Sequence, residues 1–268
     1  TTHPPASPPP PPTPSVGGGG GGGAPPPRNL FGKKIYPPKA ISDHNYDVVI
    51  IATLTGIESV PQQLIDLGVD RYKINVEYVT VPVRARIVFL EKLGEMLKER
   101  KSEGSVAEGG VFQGDFAREI NRVFPDKTLY LFDTFAGFDK KDAAKDVING
   151  FSEFADKISY FEMTSEDIVK AKLPYPNKAI IKKGFFPQTA QGIDDRFCFV
   201  NLDFDLYDPI LAGLRFFHPK LVEGGAILIH DYFNPEYGGV KSAIADFGKE
   251  YKINPTPIGD GFSVAIYR

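Results

Sequence analysis

The sequence is poor in the features that mark several large protein classes. It has one cysteine, Cys198, in 268 residues, which excludes a disulfide framework and any zinc site built on thiolates. Thirty-one Lys and Arg face 34 Asp and Glu, a formal net charge of −3, so the basic excess of a nucleic-acid binder is missing. The longest apolar runs are about five or six residues, against the roughly twenty needed to span a bilayer, so no membrane partner is expected. No secretory leader is visible, and a reducing, cytoplasmic setting is the expectation.

Proline and glycine are plentiful but unevenly placed. Residues 1–28 hold eleven of the 24 prolines and seven of the 27 glycines, with one charged residue, Arg28. Pro8–Pro12 favours polyproline II and Gly17–Gly23 a flexible linker, so this stretch reads as a disordered tail. Residues 29–78 read as a short, partial Rossmann-like α/β unit. Asp47–Ala52 is an apolar strand of the type buried on both faces, residues 61–67 form a helix stopped by Gly68, and Ile74 and Val76 begin a second strand. The unit lacks a glycine fingerprint for phosphate.

Residues 79–268 form the main domain. A helix opens at Pro82 and runs to about Arg100, with Val83, Ile87, Leu90, Leu93 and Leu97 at helical spacing. Strands are expected at 105–111, 128–133, 179–185, 197–203 and 226–231. Helices fill the gaps at about 115–124, 139–156, 188–194, 209–217 and 239–251. Residues 253–258 and 262–267 flank Gly259-Asp260-Gly261 as an antiparallel hairpin. The expected fold class is therefore α/β, a Rossmann-like sandwich with a mostly parallel seven-stranded sheet and an antiparallel C-terminal edge. That is the strand economy of a class I methyltransferase, whereas a nicotinamide-binding fold would continue with parallel units.

Two strand ends carry chemistry. Glu108-Gly109-Gly110-Val111-Phe112-Gln113-Gly114 leads from the first strand into a helix, and glycines there let backbone approach a ligand. The second strand closes on Asp133, about twenty residues further on, where a carboxylate reaches the hydroxyls of a ribose or caps a helix. Farther along, Phe197–Leu202 is followed by Asp203-Phe204-Asp205, and Ala226–Ile229 by His230-Asp231. Carboxylates at the ends of apolar strands lose hydration and repel unless a cation or donors meet them. Parallel neighbours place those ends on one rim, so Asp203, His230 and Asp231 are candidate ligands of one divalent cation, with capping and core packing as the alternatives. His44 and His218 read as surface residues, and Cys198 as a small core residue. Arg84 and Arg86 read as a solvated helix face rather than a site for an anionic acceptor.

Three segments, 108–138, 183–190 (KGFFPQTA) and 200–233, resemble the TylF/MycF-type macrocin O-methyltransferases, and the resemblance extends over about residues 80–268. It implies an S-adenosylmethionine-dependent, Mg²⁺-dependent O-methyltransferase acting on a sugar hydroxyl of a small-molecule acceptor. The candidate cofactor contacts are Glu108, Gly110, Gly114, Asp133, Thr164, Ser165 and Phe185; Phe185 or Phe186, just past the third strand, could lie against the adenine, with core packing the favoured role for either ring alone. Metal ligands would be Asp203, His230 and Asp231, and Asp205, then His230, would serve as catalytic base. His230 stands where the family has the first Asp of an Asp-Asp pair, which leaves Mn²⁺, Fe²⁺ or Zn²⁺ open beside Mg²⁺. No nucleic-acid partner is expected, and a homo-oligomer is compatible with the sequence. The rival readings are a metal-dependent glycosyltransferase using Asp203-Phe204-Asp205 as its D-x-D, and a non-catalytic nucleotide-binding scaffold.

Overall fold

The structure is a computed structural model and describes residues 29–30, 33–52, 59–153, 155–157 and 159–268. The tail expected at 1–28 lies outside the described residues. The chain divides into two compact units, residues 1–79 and 80–268.

The second unit is built on a seven-stranded sheet. Its strands are β1 (Ser105–Gly109), β2 (Leu129–Asp133), β3 (Ala179–Lys183), β4 (Phe197–Leu202), β5 (Leu221–Ile229), β6 (Thr256–Pro257) and β7 (Val264–Tyr267), in the spatial order β6-β7-β5-β4-β1-β2-β3. Strands β1 to β5 pair in parallel, and β7 and β6 close the edge in antiparallel register. The doubly wound sheet with an antiparallel end is thus as the sequence indicates.

Burial on both faces explains the continuous apolar runs. Phe132, Val200, Leu202, Ile227 and Ile229 face one core with residues of helices α5 (Tyr207–Phe217) and α6 (Gly238–Glu250). Leu129, Leu131, Phe199 and Leu228 face the other, with Leu90, Leu93 and Leu97 of α1 (Glu77–Glu99) and Ala117 and Ile120 of α2 (Asp115–Val123). A register shift between Phe197 and Phe199 puts Cys198 and Phe199 on the same face and leaves the thiol buried in the core. No helix among the described residues is long and apolar enough to cross a membrane.

Several boundaries differ from the expectation. Helix α1 starts five residues before Pro82, because the Asn75 side chain accepts from the Glu77 N–H at 2.9 Å. Pro82 sits in its second turn, where the carbonyl it leaves unpaired belongs to exposed Tyr78. The helix expected at 139–156 stops as α3 (Lys140–Ile148). Phe151 N–H bonds to the Asp146 carbonyl and Gly150 N–H to that of Val147, a left-handed glycine cap. Residues 188–194 give only one tight turn, Gln188–Ala190. Helix α4 (Glu166–Lys172) was not expected, and it buries Val169 alone. His218 is not a plain surface residue: it packs against the rings of Phe247 and Tyr251.

In the first unit, Val49–Ile50 pairs in parallel with Ile74–Asn75 around a helix at Ser59–Asp66. Gly68 ends that helix as expected, with Gly68 N–H on the Ile65 carbonyl and Val69 N–H on that of Leu64. The strand is not buried on both faces, however. Ile51 is inside, while Val48 and Ile50 are exposed by about half.

Asp146 ties α3 to the start of α5. It is buried, and its Oδ2 accepts from the Tyr207 N–H at 3.2 Å. Burial pushes its pKa up to about 6. A carboxyl raised in the folded state favours the protonated fold, so its contribution is present below the unfolded value of about 4 and is lost as pH rises through about 6. Asp146→Asn keeps the acceptor and removes the charge. It is expected to stabilise the protein by about 2 kcal/mol at pH 7 and to have little effect near pH 4, read from urea midpoints at the two pH values.

Candidate active site

The rim is set by two neighbouring ladders. Leu202 of β4 stands opposite Ile229 of β5, and the next residues continue the pairing: His230 N–H donates to the Leu202 carbonyl at 3.0 Å, and Asp203 N–H to the Gly109 carbonyl at 2.7 Å. Asp203 and His230 therefore leave the sheet side by side. The chain then turns sharply. Asp205 and Asp231 have φ of 64° and 58°, a left-handed conformation that aspartate tolerates better than most residues but that still carries strain. These turns bring both side chains back towards the rim.

Asp203, His230 and Asp231 each place one donor atom within 4.8 Å of the others. His230 Nδ1 lies 3.2 Å from Asp203 Oδ1 and 3.0 Å from Asp231 Oδ2. It is buried, yet it forms a well-directed hydrogen bond with neither. Three donor atoms grouped around a point, rather than paired along bond axes, fit a divalent ion with mixed oxygen and nitrogen ligands.

The electrostatics follow from crowding. Burial works against an ionised Asp203, but the His230 and Arg86 cations outweigh it and hold the carboxyl well below the usual range. Burial likewise works against the imidazolium, and the Asp203 carboxylate outweighs it, pushing His230 up to about 9. Asp205 moves the other way, raised by burial and then by the Asp231 and Asp203 carboxylates, with a hydrogen bond to Asp231. Glu108 is raised by burial and by Asp203.

The residues assigned to the cofactor are mostly brought together around the glycine loop. Asp133 Oδ2 accepts from the N–H groups of Val111 and Phe112 at 2.7 and 2.9 Å, and Oδ1 from Phe135 at 2.7 Å. Thr164 Oγ1 donates to the Phe112 carbonyl. Ser165 spends its hydroxyl as the N-cap of α4, accepting from Ile168 N–H at 3.2 Å. Glu108 lies under the loop, fully buried, its Oε1 accepting from Asn201 Nδ2 at 2.9 Å and its Oε2 without a partner. Gly110 has φ of 80°, and a Cβ on it would fall 1.9 Å from the Asp203 carbonyl oxygen. Gly114 opens α2 at φ 80° against Val169. Phe185 is half exposed beside a groove of about 370 Å³, whereas Phe186 is buried and stacks on Phe217 in the core.

Arg86 corrects the reading of α1. It is not on a solvated face: its side chain is only 13% exposed, and its Nη2 donates to Asp203 Oδ2 at 3.1 Å and to Asn201 Oδ1 at 3.2 Å. The signal was present, since residue 86 lies four and seven positions before Leu90 and Leu93 on the buried stripe. Arg84 is exposed, as expected. Sequence reasoning also passed over Asn234, whose Nδ2 donates to Asp231 Oδ1 at 2.9 Å, and Phe262, whose ring stacks on His230 at 5.9 Å. It passed over Tyr237 as well, kept a neutral phenol by burial and by the Asp205 and Asp231 carboxylates.

A family model described as macrocin-O-methyltransferase (TylF) matches residues 52–267. Among solved structures, the O-methyltransferase NovP is similar at 22% identity and a TM-score of 0.59, over 69% of this chain and 79% of that one. The calicheamicin methyltransferase CalS11 is similar at 17% identity and a TM-score of 0.53, over 80% and 88%. At these identities the two structures establish the fold. No curated protein sequence matches the chain.

The packing of Gly110 on β4 gives a direct test. Gly110→Ala must displace the Asp203 carbonyl as well as accept a left-handed alanine, and is expected to cost about 3 kcal/mol or more. Gly192, with φ of 79° and nothing within 4 Å, bears the backbone strain alone, so Gly192→Ala should cost about 1 kcal/mol. Urea unfolding of both variants measures the difference, and equal costs would show that the contact does not matter.

Proposed function

We propose, on the premise that the chain belongs to the TylF macrocin O-methyltransferase family and is an S-adenosylmethionine-dependent O-methyltransferase, that it transfers the methyl group with a divalent cation's help. The acceptor in this reading is a hydroxyl of a sugar or glycosylated small molecule, in line with the macrocin O-methyltransferases whose family model the chain matches. The observation that carries it is the convergence of Asp203 Oδ1, Asp231 Oδ2 and the unsatisfied His230 Nδ1.

An unactivated hydroxyl is a weak nucleophile at neutral pH. A cation held by Asp203, His230 and Asp231, whether Mg²⁺ or a softer divalent ion that suits the imidazole, would lower the pKa of a hydroxyl bound to it. In this reading Asp205 takes the proton, with His230 as the second candidate base. Burial first, and then the Asp231 and Asp203 carboxylates, push Asp205 towards its protonated form, so neutralising those two charges would remove the second influence and ease ionisation of the base. The acceptor oxygen forms a bond to the methyl carbon as the carbon–sulfur bond breaks, leaving S-adenosylhomocysteine and a protonated Asp205. Positioning of donor and acceptor supplies much of the acceleration.

The cofactor in this reading lies against the glycine loop, with Gly110 and Gly114 allowing close approach and Glu108 beneath it. Asp133 has three of about four lone-pair positions filled by backbone, leaving room for one ribose hydroxyl. Thr164 and Ser165 border the loop, and exposed Phe185 offers a ring for the adenine. These functions belong to residues 80–268, with the preceding strand–helix–strand as a separate element. Family membership and the glycine loop both speak against the glycosyltransferase reading of Asp203-Phe204-Asp205.

Asp203→Asn is expected to lower methyl transfer by about a thousandfold while S-adenosylhomocysteine binding, read by calorimetry, changes only a few-fold. Chelator should silence the unaltered enzyme and added Mg²⁺ or Mn²⁺ should restore it. Full activity of the variant in chelator would remove the metal from the mechanism.

A further inference from the structure

Each of the two ligating carboxylates is split between an inner and an outer partner. Asp203 turns Oδ1 towards His230 Nδ1 at 3.2 Å and gives Oδ2 to Arg86 Nη2 at 3.1 Å. Asp231 turns Oδ2 towards the same nitrogen at 3.0 Å and gives Oδ1 to Asn234 Nδ2 at 2.9 Å. The two outer partners come from distant parts of the chain, α1 and the loop after β5, and they produce the same arrangement.

We propose that Arg86 and Asn234 are positioning residues that restrict Asp203 and Asp231 to one inward oxygen each, so that a cation bound there keeps coordination sites open for the acceptor. The inference rests on the metal-assisted reading above and concerns how this chain prepares the site. A carboxylate using both oxygens fills two positions of an ion. With three single-atom protein ligands, about half the positions of a six-coordinate ion stay available, enough for two neighbouring hydroxyls of a sugar.

Both outer residues are themselves anchored, as a positioning role requires. Arg86 also donates to Asn201 Oδ1 at 3.2 Å, and its guanidinium lies 4.3 Å from the centre of the Phe116 ring. Asn201 is fully buried, and its amide continues to Glu108 below the glycine loop. Asn234 Oδ1 accepts from the Glu236 N–H at 3.0 Å, and its own N–H donates to the Asp231 carbonyl at 3.1 Å. Neither side chain can swing away without losing a second bond. Outer partners of metal ligands typically affect metal affinity by about 10–100-fold.

The experiment titrates the full chain with Mn²⁺ by calorimetry and by electron paramagnetic resonance, without acceptor. Asn234→Ser keeps a hydroxyl for the Glu236 N–H but is too short to reach Asp231. Arg86→Lys keeps the charge and loses the planar fork, so a change in affinity reports geometry. Each variant is expected to bind Mn²⁺ about 10–100-fold more weakly, to bind S-adenosylhomocysteine as the parent does, and to recover kcat at saturating Mn²⁺. Unchanged Mn²⁺ affinity in both variants would overturn the inference while leaving the metal-assisted reading intact. No Mn²⁺ binding by the parent would overturn both. Retained S-adenosylhomocysteine binding certifies the fold, and if one variant fails that check the other carries the test.

Discussion

The rim depends on keeping carboxyl groups out of water in close company. Asp203, Asp205, Asp231 and Glu108 all lie at the ends of β1, β4 and β5, three of them buried and Asp203 nearly so, and only Arg86 and His230 bring positive charge to them. Four ionised carboxylates cannot coexist there. The structure resolves the conflict by position: the cations beside Asp203 favour its ionised form, while burial and neighbouring carboxylates push Asp205 and Glu108 towards their protonated forms. Strand register decides which is which, because it is the Leu202–Ile229 pairing that sets Asp203 beside His230.

The glycine loop belongs to the same construction. Its first two glycines are required by β4 as much as by any ligand: a side chain on Gly109 would strike the Phe204 ring at 2.2 Å, and one on Gly110 the Asp203 carbonyl at 1.9 Å. Asp133 then gathers the following amides, holding Phe112 and Phe135 in left-handed conformations of φ 48° and 53°. Of the five non-glycine residues with positive φ among the described residues, four sit on this rim, so strain is concentrated where ligands would bind. Loop and acidic strand end are one mechanical unit, which ties the path of the glycine loop to the placement of Asp203.

The strong elements were legible because their patterns have a single physical cause. Strands β4 and β5 are buried on both faces, so they read as unbroken apolar runs, and polar residues at their ends stand out. Helix α4 escaped notice because it is seven residues long and buries only Val169, too little for a periodic signal. The overlong reading of α3 ignored Asn149-Gly150, a stop signal worth more than the helical residues beyond it. Arg86 was misread because charge argued for water and spacing for burial, and only the presence of Asp203 and Asn201 across 115 or more positions settles which prevails. Asn234 was hidden differently. Asn234 caps the tight turn at Pro235–Tyr237, and its amide also reaches back three residues to a carboxylate, a contact without any pattern in the sequence.

His230 is the point at which this chain departs from the Asp-Asp pair that the family resemblance implies, and the charges show why the departure is tolerated. A third carboxylate there would add a negative charge to Asp203 and Asp231, with Arg86 as the sole counter-ion. Without a metal the imidazole matches the two carboxylates as a cation, and only on losing its proton would it offer a nitrogen donor at the same place. Its ring is held by the stack on Phe262, which in turn is fixed by the Asp260 carboxylate accepting from the Phe262 N–H at 2.9 Å. The C-terminal hairpin therefore does more than close the sheet edge. It fixes the plane of the imidazole, the one side chain of the Asp203–His230–Asp231 group that no carboxylate could replace without changing the charge of the rim.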